Sequence, residues 1–261
     1  MALRTAVVLI IGCVVAATPW PGHARPRSPA TTVKAAPPPK TIFVGPRGDP
    51  VRALPPGHDG RLVFAVESSA RHTVPAAHLP ILDRLGKEIA RGGDVTLTGA
   101  CNGHPERVRQ AATCAGGETI GISAYRTPAA HRKAGAPHEG FSVIKLTSLP
   151  AVHRGQARAN LIGRSIDEIA HSDAVICTYG RTGTLIEFGV AFEEKKPIGV
   201  LVGLGGISDE LKGLVKTVAK AGKKSAAPII FDSDPTRLVR RLRKATLEFK
   251  KLGIRGQLGD T

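Results

Sequence analysis

Glu187 stands one turn into an apolar helical pattern that follows the turn Tyr179-Gly180-Arg181-Thr182-Gly183-Thr184. Ahead of the turn, Ala174-Val175-Ile176-Cys177 is an apolar run of strand length. Behind it, Leu185, Ile186, Phe188, Val190, Ala191 and Phe192 recur at helical spacing. A strand, a Gly/Thr turn and a helix in that order bring backbone N–H groups and the positive end of a helix to the carboxyl edge of a parallel sheet, where phosphates bind. A carboxylate beside an anion site is costly unless it has a task. The plainer alternative is a solvated first-turn glutamate that favours the helix N-terminus.

The elements needed to hold such a site are legible on both sides of it. Strand patterns are expected at residues 62–66, 95–98, 119–122, 141–146, 173–177, 197–202 and 228–231. Amphipathic or apolar helical patterns lie between them, at residues 78–91, 105–114, 156–170, 208–221 and 235–250, with Gly92-Gly93 and Gly116-Gly117 as stops. Alternation of strand and helix argues a Rossmann-like, doubly wound α/β domain with a parallel sheet, placed over residues 61–250. Residues 124–140 read as a polar insertion rich in His, Ala and Pro, and residues 251–261 as a tail. Residues 25–60, with Pro37-Pro38-Pro39 and Pro55-Pro56, read as a Pro-rich flexible linker carrying at most one short strand at residues 41–44.

Residues 1–24 have the make-up of an export signal: Arg4, an apolar stretch over residues 6–17, and Gly22-His23-Ala24 as a small-x-small cleavage site. The stretch is short for a bilayer-spanning helix, which needs about 20 residues. Export to the periplasm or beyond is the expectation, with membrane attachment only through an uncleaved signal or a lipid anchor at Cys13. Four cysteines, one of them in this leader, make no disulfide framework, and no metal-ligand spacing appears; neither a structural metal nor a cofactor is expected. The net charge of +16 is concentrated late, at positions such as Lys212, Lys216, Lys220, Arg237, Arg240, Arg241, Arg243 and Lys244 on two helical patterns. Basic helices suit a nucleic-acid backbone, but an aromatic content of 4% leaves no base-stacking platform. Nucleic acid is therefore not the expected partner.

Two loops together resemble the LOG-like family of the SLOG superfamily, Rossmann-like proteins related to cytokinin-nucleotide phosphoribohydrolases. The first is Leu97-Thr98-Gly99-Ala100-Cys101-Asn102-Gly103, leading into a helix that ends Ala115-Gly116-Gly117; Gly99 and Gly103 match the loop glycines of that family, and Glu106 matches an acidic position seen in part of it. The second is similar to a Pro-Gly-Gly-x-Gly-Thr-x-x-Glu motif, with Gly180, Gly183, Thr184 and Glu187 on its positions. The likeness spans about residues 62–246. It departs at Tyr179 in place of Pro, at Arg181 and Thr182, and at Ala100 in place of a loop glycine.

The resemblance implies that an arginine upstream of the second loop acts with the glutamate on an N-glycosidic bond. Arg164, nine residues before Asp173, has the family's spacing, and Arg158 is the fallback. By itself Arg164 reads as a surface residue ion-paired with Glu168. Gly99, Gly103, Gly180, Arg181, Gly183 and Thr184 are then the expected ligand and phosphate contacts, with Arg181 either contacting phosphate or plugging the pocket. The implied ligand is a nucleoside monophosphate or related phosphorylated small molecule, and the implied assembly a homodimer. Hydrolysis to free base and ribose 5-phosphate is the leading function. A non-catalytic sensor or carrier of a nucleotide-derived ligand is the alternative, and a DprA-like nucleic-acid-binding protein the third reading.

Overall fold

Four short, nearly uninterrupted apolar runs, Val63–Glu67 (β2), Val95–Thr98 (β3), Ala174–Thr178 (β6) and Ile198–Leu201 (β7), are buried at every residue. Continuous burial is what strands covered on both faces require, and it marks the middle of a parallel sheet. In the computed structural model these strands are joined by Ile42–Val44 (β1), Thr119–Ser123 (β4), Val143–Leu146 (β5) and Ile229–Asp232 (β8) in one eight-stranded sheet of order β1-β5-β4-β3-β2-β6-β7-β8. Every pairing is parallel. The structure describes residues 41–55, 60–70, 73–147 and 157–253, with side chains from residue 161 in the last stretch.

Helices cover both faces. On one lie α1 (Leu79–Arg91), α2 (His104–Cys114) and α7 (Pro235–Lys251), which place Leu82, Leu85, Ile89, Val108, Leu238 and Leu242 against Phe64, Val66, Ala174 and Ile176. On the other lie α4 (Ala157–Ala170), α5 (Thr182–Glu193) and α6 (Ile207–Lys220), where Ile169, Phe188, Ala191 and Leu211 meet Val63, Ala65, Val175 and Cys177. Alternate residues of each central strand thus feed opposite cores, the two-residue period of a pleated strand. The fold is the doubly wound, Rossmann-like α/β domain expected from the sequence.

Two local features add to the sequence reading. The short strand expected at residues 41–44 is present as β1, which pairs with β5 at the sheet edge, and Leu54 is buried in the same core cluster as the central strands. The polar stretch 124–140 contains a short helix, α3 (Pro128–Lys133), started by the Thr127 hydroxyl accepting from the Ala130 N–H and by Pro128 at the first helical position. The leader at residues 1–24, the linker as far as residue 40 and the last eight residues of the tail lie outside the described residues.

The strand order fixes where a ligand can sit. Chain progression runs outward from β2 through β3 and β4 to one side, then restarts at β6 on the other side of β2 and runs through β7 to β8. Between β2 and β6 the connections leave toward opposite faces. That divergence opens a crevice at the carboxyl ends of the strands.

Candidate functional site

Glu67 is the last residue of β2 and stands opposite Cys177 of β6, so its carboxylate reaches the carboxyl edge at the switch point. α4 runs into β6 from one side and α5 leaves it on the same face. Arg164, Ser165 and Glu168 on α4 and Glu187 on α5 meet Glu67 there. All five side chains are buried, and Glu168 has no exposure. Arg164 donates from Nη1 to the Gly99 carbonyl at 3.1 Å, sits 3.4 Å from Glu168 through Nε, and reaches Glu187 Oε1 at 3.6 Å through Nη2. The Ser165 hydroxyl donates to the same Glu187 oxygen at 2.9 Å. Carboxylate oxygens of Glu67, Glu168 and Glu187 all lie within 4.8 Å of one another.

One guanidinium facing three carboxylates cannot balance three charges. Burial, followed by the Glu168 and Glu187 carboxylates, pushes Glu67 well above the usual carboxylate range. Burial likewise lifts Glu168 to about 8, against the pull of Arg164 and with Glu187 adding to the rise. Burial opposes the charge on Arg164, but Glu168, Cys101, Glu187 and Glu67 together hold the guanidinium ionised above its ordinary range. The thiol of the half-buried Cys101 is pushed by desolvation to about 11 and is no nucleophile at neutral pH. Four carboxylate oxygens have no hydrogen-bond partner among the described residues: Glu67 Oε1, both of Glu168, and Glu187 Oε2. Buried polar atoms are ordinarily paired, so such a concentration marks either a reservoir of protons or a place for a ligand.

The two loops frame this cluster in different ways. A Cβ on Gly99 would fall 2.3 Å from Arg164 Nη1 and 2.7 Å from Glu168 Oε1, so the absent side chain is what lets the arginine lie against the first loop. In the second loop Tyr179 and Gly180 both have positive φ, 51° and 78°. Proline, locked near −65°, cannot take the Tyr179 conformation, so the exchange of the family's Pro for Tyr goes with a changed backbone. The loop is tied down by α6: Ile207 N–H donates to the Gly180 carbonyl at 3.1 Å, and the Ser208 N–H and hydroxyl both donate to the Tyr179 carbonyl, at 3.0 and 2.8 Å. A Cβ on Gly180 would fall 2.2 Å from Thr184 Oγ1, whereas one on Gly183 would meet nothing within 4 Å. Thr184 is buried with its hydroxyl unpartnered, and Arg181 and Gly183 are exposed. The first turn of α5 therefore has room beside Gly183, and the orphan amides of a helix start suit anion oxygens.

Across the crevice the Tyr179 ring stacks on His104 at 4.7 Å with planes 9° apart, and His104 Nε2 lies 3.0 Å from His78 Nδ1. Burial, with His78 second, lowers the His104 imidazole to about 4, so it is neutral at physiological pH. The Ser69 carbonyl accepts the His104 N–H at the start of α2.

The structure thus brings Glu187 and Arg164 together, and places Gly180, Gly183 and Thr184 around the first turn of α5 and Gly99 under the arginine. Gly103, at φ 86°, starts α2. The exposed Arg181 side chain stands outside the buried cluster. The surface ion pair between Arg164 and Glu168 is corrected: the pair exists, but both members are buried. The Arg158 side chain lies outside the described residues. Sequence reasoning passed over Glu67 and Ser165. A charged residue ending the run Val63-Phe64-Ala65-Val66 at a central strand's carboxyl end was the available signal for Glu67.

Solved structures share this architecture. TM1055 is 24% identical, aligns over 70% of this chain and 99% of its own, and superposes with a TM-score of 0.56. The molybdenum cofactor carrier protein of Chlamydomonas reinhardtii is 20% identical over 72% of this chain and 99% of its own, with a TM-score of 0.52. The molybdenum cofactor binding protein of the phototrophic bacterium Rippkaea orientalis is 24% identical over 75% and 99%, with a TM-score of 0.50. At these identities the likeness is one of fold. No curated protein matches the sequence significantly. Residues 65–239, which include both loops, Arg164, Glu187 and Glu67, match the SLOG cluster4 family, and the chain belongs to that family.

Proposed function

We propose that the protein binds a nucleoside 5′-monophosphate, or a closely related phosphorylated small molecule, across the carboxyl edge between β2 and β6 and hydrolyses its N-glycosidic bond. The observation that carries this reading is the Arg164–Glu187 contact at the switch point, with Glu187 Oε1 held by Ser165 and Oε2 unpartnered. The open first turn of α5, at Thr182, Gly183 and Thr184, takes the phosphate. As the glycosidic bond breaks, C1′ acquires oxocarbenium character, which the Glu187 carboxylate stabilises, while Arg164 holds that carboxylate in place. Incubating the purified protein with AMP and other nucleoside monophosphates, and assaying free base and ribose 5-phosphate, tests this directly.

Binding of the nucleotide without release of base would select the second reading, a carrier of a nucleotide-derived ligand. Arg164 favours it to this extent: its donors are engaged by Gly99 and by internal carboxylates rather than turned to the open crevice. The two solved molybdenum cofactor proteins of the same fold make that cofactor an additional ligand for the binding assay. The working unit in this reading of the family is a homodimer formed through the outer faces of α4 and α5. Leu161, Ile162, Ile166 and Ile186 are large apolar residues exposed there. A solution mass equal to the single 27.3 kDa chain would reject the dimer.

A further inference from the structure

We propose that Glu67 is the proton donor to the departing base, so that the site works with two carboxyl groups of opposite protonation. The assignment rests on the hydrolase reading above. It starts from position: Glu67 ends the strand that borders the switch point, while the Glu187 carboxylate stands on the facing helix with oxygens within 4.8 Å. Arg164 contacts Glu187 and Glu168 directly; no such contact is made to Glu67, whose Oε1 is buried and unpartnered. Two carboxyls this close do not both ionise in a buried site with one guanidinium already shared. The proton is assigned to Glu67 because Ser165 and Arg164 both contact the Glu187 carboxylate and neither contacts that of Glu67. Burial and the two neighbouring carboxylates act in the same direction on Glu67.

The step balances without a further reagent. The Glu67 carboxyl gives its proton to the ring nitrogen of the leaving base as the C1′–N bond breaks and its electron pair passes to the base. Glu187 faces the cationic C1′. A water then adds to C1′ and returns a proton to the Glu67 carboxylate. The net change is nucleotide plus water to base plus ribose 5-phosphate.

A purine needs that proton, whereas nicotinamide leaves its mononucleotide as a neutral base and does not. Glu67→Gln should therefore cut kcat for AMP by about 10²- to 10⁴-fold with little change in KM, as expected for loss of a general acid. The loss on nicotinamide mononucleotide should be smaller by at least one order of magnitude. The alkaline limb of the pH profile for AMP should also flatten, because the group that must stay protonated is gone, and Glu67→Asp should recover part of the rate. Circular dichroism and melting temperature verify that each variant is folded; if Glu67→Gln does not fold, Glu67→Asp carries the same substrate comparison, its loss again falling on AMP. Equal losses on both nucleotides would overturn the proton-donor role and leave the hydrolase reading standing. A wild-type protein that releases no base from either would overturn both.

Discussion

At the residue scale the protein concentrates charge in a place where water is excluded. Arg164 offsets part of it, and two of the three carboxyl groups compensate the rest by holding protons. Glu187→Gln should preserve ligand binding and lower turnover by about 10²- to 10⁴-fold, because the lost charge matters most in the transition state. Arg164→Ala would leave buried carboxylates uncompensated, at a cost of about 3–5 kcal/mol in folding. Arg164→Lys is the better probe: it keeps the charge, gives up the forked contact to Gly99 and Glu168, and should weaken binding and turnover together. Combined with Glu187→Gln it should be little worse than the more damaging single change, as measured by steady-state kinetics on all four forms. The cluster also predicts a pH dependence of stability. Glu168 moves from an ordinary value of 4.5 to about 8 on folding, so between these limits the folded state binds more protons than the unfolded one. Stability should fall as pH rises from about 4.5 to about 8, since the slope follows the difference in bound protons. Glu168→Gln should flatten that slope in urea melts, leaving a residue of the same sign from Glu67. An unchanged slope would place the buried charge elsewhere.

At the element scale two loops of similar composition do different work, and glycine substitutions separate them. Gly99→Ala places a methyl into the Arg164 guanidinium and should lower both melting temperature and ligand affinity. Gly183→Val meets open space and should leave the melting temperature nearly unchanged while abolishing nucleotide binding. Calorimetric binding together with thermal denaturation reads both quantities, and unchanged affinity in Gly183→Val would remove the first turn of α5 from the phosphate site. The strand–loop–helix units were legible because their signals are local: β3 and β6 are short β-prone runs ended by Gly-bearing turns, and α2 and α7 carry proline within their first two positions. α3 was missed although Thr127-Pro128 is a helix start, because no apolar period follows it. The binding loops and the Arg164–Glu187 pair could be named from the two motifs. Glu67 had only its place at the end of an apolar run to mark it, and nothing along the chain says that positions 67, 168 and 187 converge. Only the strand order, which sets β2 beside β6, does so. The Tyr179 backbone was hidden for a similar reason: its positive φ goes with a tie to Ser208, which is remote in sequence.

At the scale of the whole molecule the excess of +16 invites a polyanion, but much of the basic surface on α7 is already engaged. Arg237 and Arg241 both bond Asp232, at 2.6 and 2.9 Å, and the Arg237 hydrogen bond is the main reason that the Asp232 carboxyl is held well below the usual range. Arg240 pairs with Glu88 at 2.7 Å, Arg243 with Asp94 at 2.9 Å, and Lys250 with Asp173 at 2.6 Å. Glu88, Asp94 and Asp232 are buried at their carboxylates, so these arginines clamp α7 onto α1 and the sheet and are not spare cations. A strand of nucleic acid would have to compete with protein carboxylates for each one. Lysines of α6 such as Lys212 and Lys216 are among the charges that form a diffuse field. DNA binding should accordingly be weak, indifferent to sequence and lost as salt is raised through the physiological range, as measured by fluorescence anisotropy with a labelled oligonucleotide. Nucleotide binding should persist over the same salt range, because it rests on close contacts at one site rather than on a diffuse field spread over many exposed charges. Tight, salt-resistant DNA binding would break this division of labour and restore the DprA-like reading.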